Sequence, residues 1–423
     1  MIARQLPGSF ALILIILLLA VNAASFDLNG YYKSFATVYD LPSHTLSRIG
    51  IDPPPLGQVT NRLRLDARVH FGSVGSFSVA YDIVPRIQDR LLWESNLLTT
   101  GVARVSYRAI DFDRRIYPSS DDEVSSFGLL HNLDRAVVSV NAEHFDLYVG
   151  RQAIAWGSAR AVNPTDVIAP YANTELDTED RIGVDAVRVR VPMGFMGEID
   201  AGYLFGDDFE FDRSAIYLRA KTYLWRTDVS TMILGFQENL LLGVDLARAV
   251  GGAGVWLEAG YVLDDAMSDR RRCSCGDYWR ASIGVDYSLG GTVYGFLEYH
   301  FNGAGSNDAD DYIDILSSSA FTEGGVSLMG QHYLIPGASW QITPLVTGSG
   351  ELLFNLGDPS VLLAPTVEYN VAENIYLAAG AFVGIGRTPS LTLGGSSLLD
   401  NLRLRSEFGT YPNIYYSSFR VYF

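Results

Sequence analysis

The stretch RLRLDARVHFGSVG, residues 62–75, alternates charged and apolar side chains before it reaches a turn that contains two glycines. Successive side chains of an extended strand point to opposite faces, so this alternation gives a strand with one polar face and one apolar face. Such a strand suits a boundary between water and an apolar medium. Its two faces carry Arg62, Arg64, Asp66 and Arg68 on one side, and Leu63, Leu65, Ala67 and Val69 on the other.

The same alternation recurs along the chain in about 18 segments, each close to the roughly 9–11 residues that a tilted strand needs to cross a bilayer. Tight turns join alternate pairs of segments, as at residues 72–75 and 251–252. The intervening connections are long and polar, as at 87–131 and 157–181. Outer-membrane barrels have short periplasmic turns and long extracellular loops. The sequence therefore predicts an all-β fold, a transmembrane antiparallel β-barrel, whereas a soluble two-sheet sandwich leaves the alternation of turns and loops unexplained.

The two ends of the sequence agree with export to the cell outer membrane. Residues 1–23 combine Arg4, an apolar run and a small-residue cleavage site, which is the pattern of a signal peptide. Residues 24–423 are then expected to form a single barrel domain. Phe423 closes an alternating strand, and a terminal aromatic residue resembles the signal that the barrel-assembly machinery reads in Gram-negative outer-membrane proteins.

Composition narrows the class of partner. The net charge of -17 argues against nucleic acid. We expect contact with outer-membrane lipid and lipopolysaccharide and passage of small hydrophilic solutes, with a periplasmic partner or a homo-oligomer as further candidate partners.

Charged residues on the polar faces of the strands are expected to point into one hydrated lumen, because the outward face of a barrel must be apolar. Their mixed sign predicts a polar pore. The candidate pore-lining residues are Arg62, Arg64, Asp66, Arg68, Arg151, Arg188, Arg190, Glu198, Asp200, Arg219, Lys221, Glu258 and Glu298.

The segment 145–167 breaks the pattern. Its strand is predicted over 145–156, and alternation alone would direct Arg151 outward. A bulge at Gly150 would flip the following side chains, so that Arg151 faces the lumen and Trp156 faces outward. The loop that follows is expected to fold inward and narrow the pore, with Arg160, Asn163 and Asp166 in the constriction. The alternative is that Arg151 braces the barrel wall against a neighbouring carboxylate.

The pattern GRQAIAWGSARAVNPTD, residues 150–166, resembles one found in porin-like outer-membrane proteins of the alginate-export type. The resemblance implies a barrel that exports a polyanion through an arginine-lined pore. Acidic residues among the candidate pore-lining positions depart from that expectation.

We found no sequence motif for hydrolysis, phosphate binding or zinc-dependent catalysis. We therefore expect no enzymatic activity, no cofactor and no metal site. The acidic loop at 307–314 carries oxygen ligands of the kind that calcium prefers, but solvated acidic loops are commoner. Cys273 and Cys275 are candidates for a local disulfide, because export favours oxidation.

The sequence thus predicts a porin for passive diffusion of small hydrophilic or anionic solutes. An alternative is a partner-dependent channel, either an exporter of polysaccharide or a sheath around a periplasmic electron-transfer partner. A surface enzyme or adhesin is a third possibility.

Overall fold

A computed structural model describes residues 25–42, 54–94, 107–110, 114–119, 122–268, 276–391 and 402–423. The predicted signal peptide, residues 1–23, and the Cys273–Cys275 pair lie outside the described residues. None of the helices in the described ranges is both long enough and apolar enough to cross a membrane.

Antiparallel strands dominate the fold, and they close into one barrel of 18 strands. Each strand pairs with its neighbours along the chain, and the last strand pairs with the first as well as with the one before it. The predicted fold class is confirmed. The strands are β1 (Ser25–Asp40), β2 (Leu56–Phe71), β3 (Gly75–Gln88), β4 (Phe127–Asn141), β5 (Asp146–Gln152), β6 (Val184–Met193), β7 (Gly197–Leu204), β8 (Ala215–Leu224), β9 (Thr227–Phe236), β10 (Asn239–Val250), β11 (Ala253–Leu263), β12 (Tyr278–Leu289), β13 (Val293–Asn302), β14 (His332–Thr343), β15 (Val346–Asn355), β16 (Ser360–Ala372), β17 (Ile375–Ile385) and β18 (Asn413–Tyr422).

Short strands, helices and 3-10 turns occur in the connections between the barrel strands. A strand at Arg114–Tyr117 pairs with β4, and Ser390–Leu391 pairs with Leu402–Arg403. The α-helices are α1 (Arg90–Glu94), α2 (Tyr312–Leu316) and α3 (Ser319–Thr322), and 3-10 turns occur at Asp207–Phe209, Phe211–Arg213, Ala309–Asp311 and Phe408–Thr410.

The tight turns follow from local backbone chemistry. Trp225 and Arg226 join β8 to β9 with φ values of 49° and 64°. Two consecutive residues with positive φ give a turn whose twist matches the right-handed twist of paired strands. This turn fixes the register of the hairpin, in which Thr227 lies opposite Leu224.

The two faces of the wall differ as the alternation predicts. Apolar side chains such as Ile216, Ile233 and Ile283 are more than half exposed on the outward face. The buried apolar clusters lie inside the barrel, where the long connections fold in over the wall. Their members include Trp156, Tyr217, Leu234 and Phe236 in one cluster, and Tyr312, Tyr333, Phe408 and Tyr411 in the other.

The fifth strand is shorter than predicted. It ends at Gln152 rather than at residue 156, and the chain then leaves the sheet and enters the barrel. Trp156, expected to face outward, is instead buried inside the barrel against the ring of Tyr217 at 4.7 Å. An aromatic side chain that leaves the sheet can bury far more apolar area in the lumen than on the wall.

Candidate functional site in the barrel lumen

The long connection between β5 and β6, residues 153–183, folds into the lumen, and we call it the inward segment. It contains no helix or strand. Glu258 on β11 holds its first half, because its carboxylate accepts hydrogen bonds from the backbone amides of Ser158 at 3.1 Å and Ala159 at 3.2 Å. The same carboxylate accepts from the amide and the hydroxyl of Thr165 at 2.9 and 2.7 Å. A single buried side chain therefore fastens both ends of a short loop.

Glu298 on β13 provides a second anchor beside the first. Its carboxylate accepts from three successive backbone amides, those of Arg160 at 2.8 Å, Ala161 at 3.4 Å and Val162 at 3.0 Å. The indole of Trp256 donates to it as well, at 3.0 Å. Buried carboxylates need such donors, because an unpaired charge in a dry site is costly. The sequence predicts that Glu258 and Glu298 line the pore, and in the structure both residues anchor the inward segment.

The three predicted constriction residues all lie on the inward segment. The Arg160 guanidinium donates twice to Asp286 on β12, at 3.2 and 2.8 Å, and lies over the ring of Trp256. Asn163 accepts a hydrogen bond from the Asp166 amide through its backbone carbonyl, at 3.3 Å. Asp166 is buried 2.8 Å from Arg181, and burial raises its pKa to about 6 although Arg181 opposes the shift. These contacts stiffen the segment where it crosses the lumen.

The second half of the inward segment meets β1 and β2. Lys33, which is fully buried, forms ion pairs with Asp177 at 2.8 Å and Glu179 at 2.7 Å. Arg62 reaches Asp177 at 3.4 Å, and the hydroxyl of Tyr31 donates to Asp180 at 2.8 Å. The acidic run at 175–180 is thus held by cations of the wall. Sequence reasoning missed Lys33 as a contributor, although it lies on the polar face of its strand.

The arginines of β2 are paired inside the barrel. Arg62 bonds Asp82 at 2.7 Å, and Arg64 bonds Asp134 at 2.8 Å. The register between β3 and β4 shifts at Asp134, since Ala80 lies opposite residue 135 and the next residue opposite 133. This bulge inserts the Asp134 carboxylate into the arginine cluster. Sequence alternation could not locate it, because one additional residue in a strand leaves little trace in the pattern.

The remaining candidate residues occur mostly in pairs across neighbouring strands. Arg188 and Asp200 form a two-bond pair, in which Asp200 also accepts from the hydroxyl of Tyr217 at 2.8 Å. Most of the basic lining residues are therefore neutralised by a carboxylate nearby. The other contacts are Arg64 with Asp66 at 3.2 Å, Arg68 with the Ser78 hydroxyl at 3.0 Å, Arg190 with Glu198, Lys221 with Asp228 at 3.9 Å, and Arg219 beside Asp245.

Arg151 departs from its predicted position. The ladder between β5 and β6 has no register shift, so the predicted bulge at Gly150 is wrong. Arg151 lies opposite Asp185, whose neighbours on β6, Val184 and Ala186, belong to the buried cluster inside the barrel. Alternation therefore directs Asp185 and Arg151 to the outer side of the wall.

Its contacts give Arg151 a bracing position. The guanidinium donates to both oxygens of Asp185, at 2.7 and 2.8 Å, and to the carbonyls of Leu133 and Ile110 at 2.9 and 2.6 Å. Arg160 pairs instead with Asp286, so the two arginines do not share a constriction. Gly150 has a φ of 117°, and a Cβ there would lie 2.2 Å from the carbonyl oxygen of Ala136, so this close approach requires glycine.

A cavity of about 440 Å³ separates the inward segment from strands on the opposite side of the barrel. Among the described residues, five carboxylates and one guanidinium line this cavity. Arg420 is bound to both Glu179 and Glu368. Glu175 and Glu351 form no ion pair with any residue in the described ranges. The five acidic residues are Glu175, Asp177, Glu179, Glu351 and Glu368.

A third anchor carboxylate, Glu407, carries no signal in the sequence pattern. Glu407, in the connection between β17 and β18, accepts from the Met329 amide at 2.9 Å and from the Asn355 amide group at 2.8 Å, and it also binds the Tyr333 hydroxyl. Complete burial raises the pKa of Glu407 to about 7 in spite of these donors. This side chain joins two long connections to β14 and β15.

Acidic side chains of the loop at 307–314 are engaged in contacts with other residues of the chain. Asp310 pairs with Arg403 at 2.6 Å, and Asp308 accepts from the Asp310 amide. Within the part of the chain that the structure describes, no group of three or more potential ligands has the arrangement of a metal site.

Comparison with known proteins adds information on the fold. No protein-family model and no curated protein sequence matches the chain. Solved structures of outer-membrane porins do match it. Acinetobacter baumannii OccAB4 is 7% identical with a TM-score of 0.56, and the match covers 95% of this chain and 99% of that one. Pseudomonas aeruginosa OccD3 (OpdP) is 9% identical over 95% and 92% of the two chains, with a TM-score of 0.52. Pseudomonas aeruginosa OpdK, solved with vanillate, is 9% identical over 95% and 99%, with a TM-score of 0.53. The chain is thus a porin-like β-barrel.

Proposed function

We propose that this protein is a channel of the cell outer membrane, through which small hydrophilic solutes pass by diffusion without an enzymatic step. One observation carries the proposal. A closed barrel with an apolar outward face encloses a polar lumen, and the inward segment, fastened by Glu258 and Glu298, narrows that lumen to a charged passage. A wall of this kind shields polar solutes from lipid, and a fixed constriction limits their size.

The charges around the cavity favour cationic and neutral solutes. Arg420, the cation that lines the cavity, is neutralised by Glu179 and Glu368, and the buried Lys33 pairs with the lining residue Asp177. Glu175 and Glu351 face the same cavity without a cationic partner among the described residues. A narrow passage with a surplus of one sign raises the local concentration of counter-ions.

The alginate-export resemblance suggests a different cargo, a polyanion. Such an exporter would need guanidinium groups that are free to contact carboxylates of the cargo. The arginines nearest the cavity already bind carboxylates of the protein itself, as Arg62 binds Asp82 and Arg420 binds Glu368. We therefore prefer the diffusion channel. Association with lipopolysaccharide, the barrel-assembly machinery or further copies of the chain is part of the same proposal.

Planar-bilayer recording of the purified, refolded barrel tests this function. We expect discrete conductance steps, and a reversal potential under a salt gradient that indicates preference for cations. A barrel that is folded by heat-modifiability on gels but never conducts would exclude the diffusion channel and favour a sheath or a partner-dependent exporter.

A further inference from the structure

A groove of about 530 Å³ crosses the outward face of the barrel between β9 and β14. Its lining is almost entirely apolar. The strand register places Leu246, Leu257 and Ile283 opposite one another in one row, and Val285 and Leu297 in the next. Their side chains are exposed in part, with Ile283 at 54%. The groove is therefore an open depression in the apolar outward surface of the barrel.

Arg248 gives this groove a charged end. It lies opposite Val255 and two positions along β10 from Leu246, so it belongs to the outward face. Asp245, by contrast, bonds the inward segment through the Ser158 hydroxyl and marks the lumen face of the same strand. The Arg248 guanidinium makes no hydrogen bond or ion pair with any residue in the described ranges. An outward arginine without a carboxylate partner is unusual on a wall where most arginines are paired.

The position of Arg248 along the strand is equally informative. It lies close to Val250, where β10 ends at the turn 251–252. Under the proposed function this end faces the periplasm, because the short turns lie there. Outward arginines are costly at the middle of a bilayer and tolerated near its interfaces, so Arg248 lies at the depth of lipid headgroups.

We propose that the groove binds one anionic phospholipid of the periplasmic leaflet. A guanidinium can clasp a phosphate group through two parallel hydrogen bonds, and a basic residue near the membrane surface favours lipids with a net negative charge. The acyl chain then lies along Leu246, Leu257 and Ile283, where contact with apolar side chains replaces contact with neighbouring lipid. Lipopolysaccharide does not fit this position, since it occupies the opposite leaflet. The inference rests on the proposed function only for the orientation of the barrel.

Native mass spectrometry of the barrel in a nonionic detergent tests the proposal, with phosphatidylglycerol and phosphatidylcholine as probes. We expect one phosphatidylglycerol to be retained in preference to phosphatidylcholine. Arg248→Gln is expected to weaken phosphatidylglycerol binding by about fivefold, because one basic residue beside an anionic headgroup contributes a binding free energy of that size. Binding of phosphatidylcholine is expected to remain unchanged. Ile283→Trp keeps the charge but fills the groove, so it is expected to weaken both lipids. Arg213→Gln removes an exposed cation near the long loops and is the matched control.

Three outcomes would overturn the proposal. The first is equal binding of the two lipids by the unaltered protein, and the second is equal phosphatidylglycerol binding by Arg248→Gln. The third is a stable dimer or trimer without lipid that Ile283→Trp dissociates, which would assign the groove to a second copy of the chain. Bilayer conductance of Arg248→Gln separates this site from the proposed function. Normal conductance with lost lipid binding supports the site, and absent conductance in the unaltered protein with normal lipid binding would refute only the channel.

Discussion

Thr165 donates twice to one oxygen of Glu258, from its amide at 2.9 Å and from its hydroxyl at 2.7 Å. The other oxygen accepts from the amides of Ser158 and Ala159. All four donors belong to the inward segment, and the acceptor belongs to the wall. The width of the passage therefore depends on a carboxylate that itself has no contact with the 440 Å³ cavity.

Glu258→Gln is expected to loosen the inward segment. A glutamine has one acceptor oxygen instead of two, so its NH2 group faces either the amides of Ser158 and Ala159 or the amide of Thr165, and at least one backbone donor is left unpaired. Losses of this kind cost about 1–3 kcal/mol. We expect a lower unfolding temperature in heat-modifiability gels together with a larger or noisier single-channel conductance.

The matched control is Glu210→Gln, on an exposed loop where the carboxylate pairs with Arg213 at the surface. It is expected to change neither quantity, because exposed ion pairs contribute little. If Glu258→Gln leaves both the unfolding temperature and the conductance at their original values, Glu258 does not hold the inward segment.

Glu351→Gln is expected to weaken cation preference. Its carboxyl group faces the cavity from β15 and has no ion pair within the described ranges, so the substitution removes an acidic group without a cationic partner from the passage. We expect the cation-over-anion permeability ratio, taken from reversal potentials under a salt gradient, to fall by roughly half. Glu175→Gln is expected to act in the same direction from the opposite side of the cavity.

Glu373→Gln is the control for charge, since Glu373 lies in the exposed turn after β16. A permeability ratio that is the same for Glu351→Gln and for the unaltered protein would show that Glu351 does not set the ion preference of the passage.

The raised pKa of Glu407 makes the stability of the folded protein depend on pH. Burial raises its pKa from 4.5 in the unfolded chain to about 7 in the folded protein, so the folded protein binds this proton more strongly. Its contribution to stability is complete below pH 4.5, is lost as the pH rises toward about 7, and is constant above that value. The loss is on the order of 3 kcal/mol.

The measurement compares unfolding temperatures of the unaltered protein and Glu407→Gln at about pH 5 and about pH 8. The glutamine cannot ionise, so the unaltered protein should lose stability relative to the variant as the pH rises. Asp166, whose pKa is also raised, is present in both proteins and cancels in the difference. A difference between the two proteins that does not change with pH would show that Glu407 does not titrate in this range.

The sequence predicts those features that depend on alternation along a strand. It does not predict contacts between segments that are distant in the chain. Alternation placed Glu258 and Glu298 on the lumen face, because a strand has a fixed period of two residues. Their partners lie on the inward segment, which has no periodic pattern, so their role as anchors was not predictable. Asp134 was missed for a related reason, since the bulge that directs it toward Arg64 shifts the register by one residue.

The prediction for Arg151 shows the same limit. Alternation alone directs it outward, and the predicted bulge at Gly150 serves only to keep this arginine out of lipid. The structure retains the regular register and covers the arginine with residues 107–110, whose Ile110 carbonyl accepts from the guanidinium at 2.6 Å. The cover comes from a connection elsewhere in the chain, which no pattern near Arg151 indicates.

Arg151→Ala should therefore reduce stability without changing ion selectivity. The substitution leaves the Asp185 carboxylate without its two-bond partner and frees the carbonyls of Leu133 and Ile110, in a place where Arg151 is only 3% exposed. We expect a loss of about 3–5 kcal/mol, the cost of removing one member of a buried ion pair, which is measured as a lower unfolding temperature. The reversal potential should remain unchanged, because the guanidinium lies outside the lumen. Arg68→Ala is the comparison, since within the described ranges Arg68 bonds the Ser78 hydroxyl alone, at an exposed position, and the substitution should leave the unfolding temperature unaltered. A shifted reversal potential with an unchanged unfolding temperature for Arg151→Ala would show that Arg151 acts on ions in the pore and does not brace the wall.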